Sequence, residues 1–489
     1  MTFHSIPFLL FVAFAAAVYY ALPHRIRWFW LLLASCAFYA SFVPAFLITL
    51  GALTILNYAL GLVIGSGSER KARFVYISGL VANTGVLVYF KYSPFFDDCV
   101  SATARFLGFR YSEGAIATVL PLGLSFFVFT AISYLSEIRK GTVPAERHLG
   151  ILALHFLFFP KVTQGPIERP ESLIHQFREP HRLDADVVSD GLKLMLIGYF
   201  KKLVVADRLA LYVNAVYGKE EFHNGTSLLI ASIFYAFQIY ADFSGYTDIA
   251  RGCGRLFGFR LAPNFNRPYF ATSIREFWNR WHISLSTWLR DYLFMPLAYS
   301  FSRIIPRPRW LGIRSDKWVY LFAAFITFLI CGAWHGETLN FVLWGAVYGF
   351  YLTFSNWSRK TRRRFSRAIG LSKRQGLRTA WKVLCTFSLV TIAWVLFRGG
   401  SMDSILSILG KIFTEPGTPF LNPPTIFAYS VIAILALIVL DAKEEYGRLS
   451  FSLMGHRTAA IRYGTYALAT IVILLLGVLD GGQFIYFQF

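Results

Sequence analysis

Apolar stretches of membrane-spanning length recur along this chain from end to end. Roughly 17–25 mostly apolar residues cross a bilayer as a helix. Twelve segments read this way: Ile6–Leu22, Trp28–Val43, Ala45–Ile64, Phe74–Phe90, Ala117–Leu135, Gly191–Val216, Ser227–Phe243, Trp318–Trp334, Leu339–Trp357, Thr379–Phe397, Thr425–Leu440 and Tyr463–Leu479. Leu149–Pro160 is too short and reads as a re-entrant or interfacial piece. Only 15% of the 489 residues are charged, against about 25% in a soluble domain. The expected class is an all-α polytopic membrane protein, one domain over residues 1–489, with about twelve transmembrane helices and additional re-entrant or interfacial ones.

Charge then sets sidedness. The net charge of +21 is the excess that cytoplasmic loops collect, and in so apolar a chain it argues against nucleic-acid binding. Ser358–Arg378 holds nine Lys or Arg and no acid, which predicts a cytoplasmic loop. Arg303–Lys317 carries five basic residues and one acid, and is predicted to lie on the same side. Arg25 and Arg27 follow the first apolar run rather than precede it, the reverse of a signal peptide. Ile6–Leu22 therefore reads as a retained helix, and twelve spans put both termini outside. The spans flanking His335 start and end in the cytoplasm. His335 is thus expected at the tip of a helical hairpin deep in the membrane, in Gly332-Ala-Trp-His-Gly336. The two glycines would let the backbone turn and a ligand come close.

Polar groups at membrane depth are candidates for function. An imidazole neutral near pH 7 can take a proton from a hydroxyl as it attacks a carbonyl, which makes His335 a candidate general base. Trp334 stands beside it. Cys331, one helical turn earlier, is either a thiol nucleophile or a small core residue. His282, Ser284, Ser286 and Trp288 alternate in Asn264–Tyr299, a stretch with no run of span length, suited to interfacial helices or the protein interior. Asp242 and Asp248 end an apolar span. They would hold a water, orient a histidine, or pair with Arg251 and Arg255. Phe159-Pro-Lys-Val-Thr-Gln-Gly-Pro-Ile-Glu168 reads as a fixed turn. Gly252-Cys-Gly254 with Gly258 has the wrong spacing for a dinucleotide loop, and no strand precedes it. The five cysteines are scattered and H-E-x-x-H is missing, so no metal site is expected.

RWHISLSTW and GAWHG, whose histidines are fifty-three residues apart, resemble the two histidine motifs of the membrane-bound O-acyltransferase family. FFPKVTQGPIERP, YADFSGYTDIARG and NFNRPYFATSIREFWNRWHISLS are similar to its bacterial alginate O-acetylase branch, which includes AlgI, DltB and PatA. The resemblance implies helices around a central tunnel, with His335 as the catalytic histidine and His282 as the second motif histidine. It implies an acyl thioester donor on the cytoplasmic side, acetyl-CoA or an acyl carrier, with no bound cofactor. It further implies O-acetylation of an exported polysaccharide (alginate-like, peptidoglycan or cellulose) at the bacterial inner membrane. A periplasmic or membrane-anchored acetyltransferase partner of the AlgJ, AlgX or PatB kind would complete delivery. In the DltB system a small separate peptide with an aromatic, tyrosine-bearing C-terminus is thought to carry the acyl group. Residues 463–489, ending in FIYFQF, look like that peptide fused on, which makes Tyr486 an acyl-relay candidate. The rivals are a transporter without acyl chemistry, or an enzyme of this family with a lipid or protein acceptor.

Overall fold

The computed structural model describes residues 1–112, 114, 118–305, 308–370, 373–447 and 454–479. Tyr486, the relay candidate, lies outside the described residues. The described chain is almost wholly helical. In order the helices are α1 Ile6–Ala21, α2 His24–Ala40, α3 Phe46–Ser66, α4 Glu69–Phe106, α5 Leu124–Lys140, α6 Leu149–Leu157, α7 Pro170–Leu173, α8 Ala185–Tyr199, α9 Asp207–Tyr217 and α10 Gly225–Leu256. They continue as α11 Ile274–Arg280, α12 Ile283–Leu289, α13 Met295–Ile304, α14 Ser315–His335, α15 Leu339–Trp357, α16 Arg359–Ala368 and α17 Gln375–Arg398. The last three are α18 Met402–Thr414, α19 Pro424–Tyr446 and α20 Ala459–Leu476. A π-helical turn, Phe200–Ala206, joins α8 to α9. The strands β1 Arg309–Trp310 and β2 Ile313–Arg314 make one small antiparallel pair.

Most of the apolar segments named from the sequence fall on one of these helices; Gly191–Val216 is instead divided among α8, the π-helical turn Phe200–Ala206 and α9. Seven helices, α3, α4, α10, α14, α17, α19 and α20, are long and apolar enough to cross a bilayer on their own. Two boundaries need correction. The fourth segment is not 74–90 but the 38-residue α4, which runs on through Lys91, Pro94, Asp97 and Asp98. Asp97 is buried there, and its carboxylate accepts from the Tyr111 hydroxyl and the Gly114 N–H, both at 2.7 Å. The fifth segment begins its helix only at Leu124. Gly123 stands before it at φ +76°, facing the Val162 carbonyl, and this left-handed turn ends the preceding loop.

The chain divides into two compact units, Met1–Met195 with Tyr246–Ala262, and Leu196–Gly245 with Pro263–Phe489. In the first, α3 and α4 are joined by a reciprocal amide pair. Asn57 Nδ2 donates to Asn83 Oδ1 at 3.0 Å and Asn83 Nδ2 to Asn57 Oδ1 at 2.9 Å, both fully buried. Between apolar helices such a pair supplies the directional contact that packing alone lacks. Gly252 packs on the backbone of Gly191, so this glycine serves helix–helix contact. The FFPKVTQGPIE stretch is buried along its length. Burial pushes the Lys161 ammonium down to about 8, against the pull of Glu168, and burial pushes the Glu168 carboxyl up. The fixed turn expected there is what the structure has: a side chain at Gly165 would strike Lys161.

The second unit is organised around the α14–α15 hairpin, with α11, α13 and α17 packed on it. The Asn264–Tyr299 stretch folds inward as far as Leu289, while Arg290–Tyr299 holds no buried residue. Phe277, Trp278, Trp281 and Trp288 are all buried.

Candidate active site

His335 is the last residue of α14, and the hairpin turn follows it at once. The hairpin closes because glycines meet backbone. A Cβ at Gly332 would strike the Phe341 carbonyl, and one at Gly345 the Phe328 carbonyl. A Cβ at Gly336 would enter the Phe341 ring. The expectation that Gly332 and Gly336 leave room for a ligand is therefore corrected: the opposing helix α15 fills that room. Asn340 fastens the turn to the end of α17, donating to the carbonyls of Leu396 at 3.2 Å and Gly399 at 3.1 Å.

The imidazole so positioned is 4% exposed. Its ring centroid lies 4.5 Å from that of Trp334, 5.0 Å from Trp344 and 5.1 Å from Phe397. Trp344 and Phe397 meet it edge to face. Packing on several sides holds one ring orientation, which a proton-transfer group requires. Cys331 is buried one turn away on the same helix.

His282 is held differently. It caps α12 in the left-handed region, at φ 42° and ψ 55°. A non-glycine residue there is strained, and the surroundings must hold it. Asn264 does so. Its carbonyl accepts the Ile283 N–H at 2.9 Å, and its side-chain oxygen accepts the Ser284 N–H at 3.0 Å. The imidazole is 1% exposed and meets the edge of Phe243 at 4.7 Å. Burial drives its basicity down to about 3, so this histidine is neutral near pH 7. Ser286 Oγ donates to the Trp281 carbonyl at 2.9 Å, and Trp288 is buried against Tyr292. Arg280 of the same motif reaches outward to Glu445 at 2.8 and 2.9 Å.

Rings connect the two histidines. From His335 the contacts run through Trp344 to Trp394, whose ring lies 5.0 Å from Trp281. Trp281 packs on Phe265, Phe265 on Phe243, and Phe243 on His282. The motif histidines thus occupy the two ends of one buried aromatic chain.

The two carboxylates from the end of the apolar span do different things. Asp248 pairs with Arg251 at 3.3 Å, as one of the alternatives has it. Asp242 does not turn to an arginine; it meets the buried Lys202 Nζ at 2.7 Å, and Lys202 also meets Asp207 at 2.9 Å. Arg255 goes to Asp190 instead. Lys202, Asp207, Asn264 and Asn340 escaped sequence reasoning. Of these, only Asn264, inside NFNRPYF, lay in a stretch already singled out.

The fold and this centre define a helical multi-pass membrane protein with a buried histidine at the tip of a helical hairpin. Residues 122–398, more than half of the chain, match the membrane-bound O-acyltransferase (MBOAT) family. The probable alginate O-acetylase AlgI of Pseudomonas putida is 35% identical over 85% of this chain and 80% of its own length. That of Pseudomonas aeruginosa is 35% identical over 82% of this chain and 73% of its own. A peptidoglycan O-acetyltransferase of Helicobacter pylori is 31% identical over 78% and 72%. The chain belongs to the membrane-bound O-acyltransferase family and is an acyltransferase.

Proposed function

We propose that this enzyme takes an acetyl group from a thioester donor on the cytoplasmic side of a bacterial inner membrane and passes it outward for O-acetylation of an exported polysaccharide. The whole chain acts as one acyltransferase unit in this reading. What carries it is the burial of His335 between Trp344 and Phe397 at the hairpin tip, in a chain similar to the alginate and peptidoglycan O-acetylating proteins over most of its length. The donor is acetyl-CoA or an acetylated carrier protein. A thiolate leaves readily, so the demand on the protein is to activate the attacking hydroxyl. His335 accepts that hydroxyl's proton as the C–O bond forms and the C–S bond breaks, and returns the proton to the departing thiolate. His282, neutral and locked by Asn264, positions the chain that surrounds the reacting groups.

The first acceptor in this reading is the phenol of Tyr486. A phenyl ester is more reactive than an alkyl ester and hands the acetyl group on, here to a periplasmic or membrane-anchored acetyltransferase partner of the AlgJ, AlgX or PatB kind. The test is thioester turnover by the purified enzyme. His335→Ala and His335→Gln are each expected to abolish it while membrane insertion persists. Near wild-type turnover by either variant rules out the general-base role, and a wild-type enzyme without thioester turnover favours transport without chemistry.

A further inference from the structure

Beside the basic run, two cavities of about 380 and 430 Å³ adjoin in the second unit and share Thr272, Ser273, Ser355, Arg362, Ser366, Arg378 and Lys382 among their walls. The first is a cationic cup. Arg275, Arg359, Arg362, Arg363, Arg378 and Lys382 line it, and among the described residues no Asp or Glu does. Lys382 stands in the repulsive field of Arg378, Arg362 and Arg363. Glu276, an acid that acts on it, is engaged elsewhere, by Thr272 at 2.7 Å and Arg280 at 2.8 Å. Arg378 Nε and Ser366 Oγ are shut off from solvent and have no hydrogen-bond partner among the described residues. Topology asks only that cations lie on one side of the membrane. It does not ask that they converge on a cavity and leave buried donors unsatisfied, which costs stability.

The second cavity is apolar and opens sideways. Phe350, Phe354, Phe365 and Trp381 line it and are 58%, 55%, 64% and 55% exposed. Phe350 and Phe354 belong to α15 and Trp381 to α17, at the ends of these helices next to the basic run. In a membrane protein, side chains so exposed there face the acyl-chain boundary. A compact polyanion alone would fill the cup and leave the groove empty. A ligand with a phosphate head and hydrocarbon tails fills both, and basic pockets between transmembrane helices are suited to such heads.

We propose that the cup and groove together form a binding site for an anionic phospholipid of the adjoining leaflet. Its phosphate sits among Arg362, Arg378 and Lys382, and its acyl chains lie along Phe350, Phe354 and Trp381. The site requires the membrane setting and is independent of the acyl-transfer reading.

The test is native mass spectrometry of the full-length enzyme released from nanodiscs of equimolar phosphatidylglycerol and phosphatidylcholine. The wild type is expected to retain phosphatidylglycerol, with a preference that falls on the order of ten-fold in Arg362→Ala/Arg378→Ala. Arg378→Lys, which preserves charge, and Arg70→Ala, on α4, are expected to keep it. Inorganic phosphate or coenzyme A at millimolar concentration is expected to leave the lipid in place, because neither fills the groove. Equal retention of both lipids, a preference that survives the double alanine variant, or displacement by coenzyme A with an affinity lost in that variant would each overturn the proposal. The last would mark the cup as a site for a soluble phosphorylated ligand.

Discussion

Lys202 holds Asp242 at 2.7 Å inside the protein, 1% and 3% exposed at their side chains, with Asp207 at 2.9 Å completing a buried ion triad on a π-helical turn. Two carboxylates thus converge on one ammonium. Breaking such an arrangement costs more than never having built it, because the orphaned charge stays buried.

Lys202→Met is therefore expected to destabilise the enzyme by about 3–5 kcal/mol, and adding Asp207→Asn and Asp242→Asn to recover most of that loss. Thermal unfolding in one detergent measures both. A single Lys202→Met variant as stable as wild type would show that the triad contributes nothing to the fold.

The α14–α15 hairpin makes a second prediction. Gly345→Ala drives a methyl group into the Phe328 carbonyl, so the helices must part, at a cost of about 1–3 kcal/mol. His335 shifts with them, and turnover should fall more than stability does. Gly464→Ala, on α20 with open space around it, is the control and should be neutral or mildly stabilising. Equal effects at the two positions would mean that close helix approach is unimportant here.

His282 predicts a pH dependence. The unfolded imidazole binds a proton near pH 6.5, whereas the folded one does so only near pH 3. Between those values the unfolded chain holds more protons, so stability falls as pH drops. From pH 6.5 to 5 the loss from this one group is about 2 kcal/mol, and His282→Asn should remove that part of the slope. The same variant should lower turnover less completely than His335→Ala and leave the acidic limb of the pH–rate profile in place. Loss of that limb would make His282 the titrating base.

Tyr486→Phe tests the relay. Acetyl transfer from the thioester should be lost together with polymer acetylation, leaving only slow hydrolysis by water, and intact mass spectrometry of the wild-type C-terminal peptide should show one added acetyl group. Full polymer acetylation by the variant returns Tyr486 to the aromatic belt of the last span.

Much of this architecture was legible from hydropathy, because a membrane forces each long apolar run into a helix. Leu339–Trp357 matches α15 residue for residue. Hydropathy failed where a helix outlasts its apolar run. Segment 74–90 is the middle of α4, whose polar continuation carries no hydropathy signal. The two histidines were legible as motifs, but their supports were not. Asn264 reaches His282 through the backbone of its neighbours, and Asn340 reaches α17 across 56 residues or more. Asp242 had two arginines, Arg251 and Arg255, in the same apolar-to-polar stretch, and pairing there was the natural reading. Its actual partner is forty residues upstream, and nothing in spacing announces it.

Helix α4 has a mechanical consequence. At 38 residues it is about 57 Å long, nearly twice the roughly 30 Å hydrocarbon thickness of a bilayer. Glu69 ties one end to Arg139, and Gly79 packs closely on Leu135 further along. The other end, at Phe106, is far from these moorings. A rod anchored near its base amplifies angle into displacement, so a bilayer that thins or thickens enough to tilt α4 by a few degrees swings its tip by several ångströms. A helix long enough to cross the membrane is, in this sense, also a lever whose long arm reaches beyond the bilayer.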